Sequence, residues 1–336
     1  MKQQVPALQY CPSLLTEGFD TYSPPARRNL FFGKKVSHIL PYDAPWKTDS
    51  DTNAFMANAK RISLSGVQEK YSLIQVKNRL RLTEEGEQGT HILKPTPAQL
   101  KRSDDVPANE QLTMLIAAQV FQIQTAASGL IFFENGEPAY ITRRFDLKKD
   151  GTKKGKEDFA SLAGKTSANA GADFKYDSSY EAMGALLKKY VPAYKIEVEK
   201  FFSLIIFNYL FSNGDAHLKN FALLETEYGD HQLSPAYDLV NTRLHIDDAD
   251  FGLRKGLFED EYKSTAFRQY GHAAKEDFLE LSRRLEMDQK RTARLIALFG
   301  QHQPLVDELV KRSFLRQRAK ELYLSHYQTR LKSFNA

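Results

Sequence analysis

The chain has 336 residues, 42% hydrophobic and 26% charged, with a net charge of +5. That is ordinary globular composition, long enough for one large domain or two lobes with separate cores. The positive charge is spread along the chain, so it permits an acidic partner without specifying one. The single cysteine, Cys11, excludes an intrachain disulfide and fits a reducing, cytoplasmic compartment, where a small structural role is expected of it. The longest apolar stretch, 201–211, is interrupted by Ser203 and Asn208 and is too short to span a bilayer. The first ten residues carry one lysine and no apolar run, so no signal peptide is expected there. The histidines show no paired zinc spacing.

In chain order, residues 1–58 are expected to be irregular, with prolines at 6, 12, 24, 25, 41 and 45. Residues 61–94 read as strands: the run 71–76 is apolar and β-branched, Asn78-Arg79 turns it toward 80–82, and 91–94 ends at Pro95. A helix is predicted from Asn109, taken as its N-cap, with Leu112, Leu115, Ile116, Val120 and Ile123 on one face. Residues 131–142 read as a hairpin around a Glu-Asn-Gly-Glu turn, and the glycine- and lysine-rich 148–156 as a mobile surface loop. Helical spacing then dominates, over 180–190, 197–213, 275–286, 288–299 and 304–332. The order implies an α+β, two-lobed fold, with a β-rich lobe over 1–145 and a helical lobe over 146–336.

The segment Asn213-Gly214-Asp215-Ala216-His217-Leu218-Lys219-Asn220 follows a strongly apolar helix. A hairpin follows it, with Asp238 at the far end. Phosphoryl transfer needs a carboxylate to take the proton of the attacking hydroxyl, and an amide oxygen and second carboxylate to hold magnesium on the phosphates. Protein kinases space base and asparagine as Asp-x-x-x-x-Asn, which Asp215 and Asn220 reproduce. The usual Asp-Phe-Gly and His-Arg are absent. Taken singly, Asn213-Gly214-Asp215 reads equally as a helix C-cap, Asp238 as a cap, and His217 and Lys219 as solvated loop residues. Lys94, at a strand end, is the candidate for the nucleotide phosphates, with Glu110 as its partner. The alternatives are an exposed strand-end lysine and a first-turn helix acid. Residues 62–70 precede a strand and hold one glycine, so they fail Gly-x-Gly-x-x-Gly, although backbone N–H groups and Lys70 could cradle phosphate.

Ser-Leu-Ser-Gly-Val-Gln-Glu-Lys (63–70), Ile-Leu-Lys-Pro (92–95), Arg-Arg-Phe-Asp (143–146), Asn-Gly-Asp-Ala-His-Leu-Lys-Asn (213–220) and Tyr-Asp (237–238) together resemble the HipA family of bacterial toxin kinases, from about residue 60 to the C-terminus. The resemblance implies an ATP- and Mg2+-dependent serine/threonine-protein kinase with a two-lobed, protein-kinase-like fold. It makes Asp215 the base, Asn220 and Asp238 the metal ligands, and Lys94 the phosphate-binding lysine. Ser65, Gly66, Val67, Gln68, Glu69 and Lys70 would cover the phosphates, with His217 and Lys219 facing the phosphoryl group. Tyr237 would flank the nucleotide, and Arg143, Arg144 and Phe145 would form the hinge to adenine. Ser63 or Ser65 would be autophosphorylated, switching activity by added charge.

The chain has no room for the N-terminal subdomain of full-length HipA, so it resembles the short form, HipT, of three-component HipBST toxin–antitoxin systems. That implies two partners, a small HipS-like protein replacing the missing subdomain and a HipB-like DNA-binding antitoxin. DNA contact would then be indirect, and no membrane is implied. The implied target is an aminoacyl-tRNA synthetase, tryptophanyl before glutamyl. The competing readings are a small-molecule kinase with the same base and metal ligands, and a silent nucleic-acid-binding module. The latter would use the basic residues Lys311, Arg312, Arg316, Arg318, Lys320, Arg330 and Lys332, among which Asp307, Glu308 and Glu321 interleave.

Overall fold

Tyr71–Val76 (β1) and Arg79–Leu82 (β2) form a hairpin in the computed structural model, which describes residues 7–44, 69–97 and 100–336. His91–Pro95 (β3) pairs with the other edge of β1. Ser128–Phe132 (β4) and Pro138–Arg143 (β5) complete a five-stranded sheet in the order β2-β1-β3-β5-β4, antiparallel throughout. Tyr71, Leu73 and Leu93 are buried on its inner face, as are Ile131 and Ile141. They share a core with Cys11, Tyr22, Leu30 and Phe31. Cys11 is the small structural residue expected, accepting N–H groups of Leu14 and Ser23 at 3.5 and 3.3 Å.

Within 7–44, the described part of 1–58, the reading as irregular is corrected at one helix. Pro24–Phe31 is a helix (α1), capped by the Ser23 side chain on the Ala26 N–H and ended by Phe32 at φ 53°. Pro24 and Pro25, read as breakers, stand in its first turn, where a missing N–H costs nothing. The next helix, Val106–Gln119 (α2), begins three residues before the predicted N-cap and stops before Val120. Asn109 is a fully buried helix residue whose carbonyl accepts the Thr113 hydroxyl at 2.8 Å. Residues 105–117 are buried on every side, so this helix has no solvent face to set a period. The predicted loop over 148–156 is a tight turn instead, with Lys148 N–H on Thr152 C=O at 2.7 Å and Asp150 bonded to Thr152.

Two compact units are present. The first comprises Met1–Leu115, Ala126–Lys153 and Glu308–Lys320. Its C-terminal piece is tied in by buried Asp105, which accepts both N–H and Nε of Arg316 at 2.9 Å. The second comprises Ile116–Thr125, Lys154–Asp307 and Glu321–Ala336. Its small antiparallel sheet, Lys156–Asp158 (β6), Ala222–Glu225 (β7) and His231–Leu233 (β8), has β7 in the centre. Short helices Phe159–Leu162 (α3) and Ser167–Ala170 (α4) lead to Tyr180–Tyr190 (α5) and Tyr194–Leu210 (α6). Twelve of the seventeen residues of α6 are buried, and aromatic stacking fixes its end: Phe207 on Phe211 at 4.5 Å, and Phe211 on Tyr327 at 4.8 Å.

Thr265–Tyr270 (α7), Lys275–Arg284 (α8) and Gln289–Phe299 (α9) follow. The single helix predicted over 304–332 is two, Pro304–Arg312 (α10) and Gln317–Phe334 (α11). The break falls where Arg316 gives its backbone N–H to Asp105, a tertiary contact that opens a new helix start. Among the described residues no helix is long and apolar enough to cross a membrane.

Candidate active site

The end of α6 sets the loop over 213–220. Asn213 bonds back to Asn208 through backbone (2.8 Å) and side chain (2.8 Å), which stops the helix and turns the chain. Gly214 gives its N–H to Thr242 Oγ1 at 3.0 Å, and a Cβ there would stand 2.5 Å from the Ala249 carbonyl. Only glycine fits that approach, which is why the loop carries it. Asp215 follows with its side chain 46% exposed, the one acid of this loop open to solvent. The 3-10 turn Leu218–Asn220 then brings the Asn220 side chain back, and its Oδ1 accepts the His217 N–H at 3.1 Å.

Across the β7–β8 hairpin stands Asp238, with φ 56°. A left-handed aspartate is uncommon and persists where surrounding contacts hold it. Its Oδ2 accepts Asn220 Nδ2 at 3.4 Å, so amide and second carboxylate lie side by side. Tyr237 anchors the junction by donating its hydroxyl to Lys219 C=O at 2.8 Å. Lys219 Nζ reaches Asp158 Oδ2 at 3.2 Å. His217 is buried, its Nε2 3.9 Å from Asp215 Oδ1. Burial first, then neighbouring Lys175, pulls its pKa down to about 3, so its ring is neutral at physiological pH. Both Lys219 and His217 are thus engaged by the fold rather than solvated.

Sequence reasoning missed three groups here. Tyr176 donates its hydroxyl to Asp215 Oδ1 at 2.8 Å, Tyr180 donates to Ala216 C=O at 2.8 Å, and Asp158 holds Lys219. None lies within fifty residues of Asp238 or in any motif, so no local signal marked them.

The first unit carries the lysine. Lys94 Nζ donates to Glu110 Oε1 at 2.5 Å with both side chains 4% exposed, and the Tyr140 ring lies 5.3 Å from Nζ. Neither the exposed lysine nor the solvated first-turn acid describes this pair. Glu69 accepts the Tyr71 hydroxyl, and Lys70 precedes β1. Ser63, Ser65, Gly66, Val67 and Gln68 lie outside the described residues. Arg143 ends β5 with its guanidinium 4.9 Å from the Phe32 ring, and Arg144 makes a two-pronged bond to Asp146 at 3.0 and 2.6 Å. The backbone N–H groups of both arginines are already on Ala127 and Thr90 carbonyls.

The Asn220–Asp238 pair suits magnesium, which takes few protein oxygens and fills its octahedron from water and phosphate. Among the described residues no group of three or more His, Cys, Asp or Glu could hold a metal alone.

Residues 62–304 match the family described as HipA-like C-terminal domain. The chain belongs to that family. A Haemophilus influenzae relative named "Putative kinase" is 26% identical over 287 residues, 82% of either chain. "Putative kinase Y4dM" of Sinorhizobium fredii is 33% identical over 62% of this chain and 52% of its own. Among solved structures, the HipA–HipB–operator DNA complex of the Shewanella oneidensis toxin–antitoxin system matches with TM-score 0.61 and 20% identity, over 80% of this chain and 63% of that one. The Helicobacter pylori proinflammatory kinase CtkA matches with TM-score 0.50 and 13% identity, over 76% and 90%. The chain thus has the HipA-like kinase fold, and it spans about half of the Sinorhizobium relative and less than two thirds of the Shewanella HipA chain.

Proposed function

We propose that the chain is an ATP-dependent serine/threonine-protein kinase. The observation that carries this is the placing of Asn220 beside Asp238, on the loop that bears Asp215. The HipA-like family and relatives named as kinases support it. ATP with Mg2+ supplies the transferable γ-phosphoryl group. Asp215 takes the proton of the acceptor hydroxyl as its oxygen bonds to phosphorus and the bond to ADP breaks. Asn220 and Asp238 would hold the cation that accompanies the phosphates. Lys94, oriented by Glu110, binds phosphate oxygens, and Lys219 offsets charge developing on the transferred group. Neutral His217 is a positioning group and carries no proton in the step. This reading further assigns to the nucleotide residues 65–70 and Arg143 to Phe145, in a β-rich N-lobe over 1–145, and Tyr237, in a helical C-lobe over 146–336.

The wider assignment is a cytoplasmic toxin kinase of a toxin–antitoxin system, of the short HipT type. Its target is an aminoacyl-tRNA synthetase, tryptophanyl before glutamyl, and Ser63 or Ser65 is autophosphorylated. A HipS-like protein and a HipB-like DNA-binding antitoxin are the partners. The Shewanella HipA structure, which holds HipB and operator DNA, supports the antitoxin part of this reading.

The test is transfer of labelled γ-phosphate from Mg-ATP into cell extract by the wild-type chain and by Asp215→Asn. Label on Ser63 or Ser65 and on a synthetase-sized band, lost in the variant, is expected. A folded, unphosphorylated wild-type chain that labels nothing would refute the kinase reading.

A further inference from the structure

The catalytic loop is gripped from two sides by segments that no kinase motif names. On one side runs the arm 173–181. It pairs backbone to backbone with 254–257: Arg254 N–H on Tyr176 C=O (2.9 Å), Lys255 N–H on Ser178 C=O (3.2 Å), Tyr180 N–H on Gly256 C=O (3.0 Å) and Glu181 N–H on Leu257 C=O (2.9 Å). Asp173 meets Arg254 at 2.8 Å and Asp177 meets Lys165 at 2.8 Å. On the other side Gly252 lies so close that a Cβ would stand 2.5 Å from the Ala216 nitrogen.

From this arm two phenols reach the loop. Tyr180, fully buried, fixes the Ala216 carbonyl. Tyr176 sets its ring edge-on to His217 at 5.2 Å and gives its hydroxyl to Asp215 Oδ1 at 2.8 Å. We infer that Tyr176 is a positioning residue for the base, an inference that rests on the kinase reading of Asp215. A carboxylate turns broadly about χ2 and accepts at either oxygen. A phenol anchored on a paired backbone removes that rotation. Oδ1 is assigned to Tyr176, which fixes the plane in which the carboxylate meets the acceptor hydroxyl. The four backbone bonds make the arm part of the scaffold rather than a strap that leaves, so Tyr176 steadies the base in each turnover instead of blocking it. The proton balance of the transfer is unchanged: acceptor hydroxyl to Asp215, with the phenol proton retained.

The test is Tyr176→Phe in the full chain, which keeps the ring on His217 and deletes only the donor. Initial rates of labelled γ-phosphate transfer into the chain itself and into the extract protein it labels are measured against ATP. Alongside run the Kd for a fluorescent ATP analogue, the thermal midpoint, and mass spectrometry of the wild-type chain. The expected result is kcat down about tenfold to a hundredfold, the scale of a small misplacement of a reacting group, with KM for ATP, Kd and midpoint unchanged. A variant as fast as wild type overturns the inference and leaves the kinase reading standing. Loss of kcat together with KM and midpoint makes the residue merely structural and also overturns it. Phosphate found on Tyr176 overturns it too, by making this hydroxyl an acceptor. A wild-type chain that transfers nothing removes the kinase reading, and the inference with it.

Discussion

Lys94 and Glu110 meet at 2.5 Å with both side chains 4% exposed. A buried pair adds little net stability over an apolar pair, but losing one member leaves a charge in a poor solvent. Lys94→Met should therefore cost about 3–5 kcal/mol in urea unfolding. Lys94→Met with Glu110→Leu should recover more than half of that loss. Strictly additive losses would show that the two residues do not act as a pair. On the proposed role of Lys94 at the nucleotide phosphates, all variants lacking it should lose phosphoryl transfer.

Asp238 combines a left-handed backbone with an expected metal role, and asparagine keeps the first while removing the charge that the second uses. Asp238→Asn should leave unfolding stability within about 0.5–1 kcal/mol of wild type. Calorimetric titration should show the magnesium enhancement of ATP binding reduced at least tenfold, because a full charge beside a dication is gone. Unchanged magnesium dependence would remove Asp238 from the metal site.

His91 is buried, its Nε2 2.8 Å from Leu30 C=O and its Nδ1 2.8 Å from Thr90 Oγ1. A carbonyl only accepts, so Nε2 carries the proton and the neutral ring takes the Thr90 hydroxyl at Nδ1. Burial, chiefly, lowers its pKa to about 4. Between the unfolded value near 6.5 and about 4, the unfolded chain binds more protons than the folded one. Stability should thus be full above about pH 6.5 and fall, by up to about 1.4 kcal/mol per unit, as pH drops toward 4. His217, lowered to about 3, acts in the same sense. Urea unfolding of His91→Phe from pH 7 to 4 should show a shallower acid slope than wild type. An identical slope would mean that His91 protonates freely in the folded chain.

Gly252 packs on the Ala216 backbone, and backbone cannot swing aside as a flexible side chain can. Gly252→Ala should cost about 1–3 kcal/mol through overpacking. It should also lower kcat more than Gly300→Ala, where the nearest atoms are 3.0 Å away and far from Asp215 in the chain. Equal kinetics in the two variants would mean that the catalytic loop does not depend on the 252 contact.

Local regularity made much of the helical part legible. Tyr180–Tyr190 and Gln289–Phe299 fall where the apolar period places them, and the structure caps them with Ser179 and Asp288. The hairpin of β4 and β5 followed from its turn and β-branched flanks. Helix α1 was hidden because Pro24-Pro25 reads as a break in isolation and as a first turn only when Ser23 caps it. The start of α2 was hidden because a helix buried all round shows no period. The break before Gln317 was hidden because its cause, Asp105, is distant in sequence.

The order and spacing of Asp215, Asn220 and Asp238, and the strand-end position of Lys94, are properties of the sequence alone, since loop spacing and turn chemistry are local. Tertiary structure alone decided that Lys94 is buried against Glu110, that Asn220 touches Asp238, that His217 is neutral, and that Tyr176 holds Asp215. Each of those depends on desolvation or on contacts between groups far apart in the chain. Neither is encoded in any short window of residues, because burial and long-range contact exist only once the chain has closed on itself.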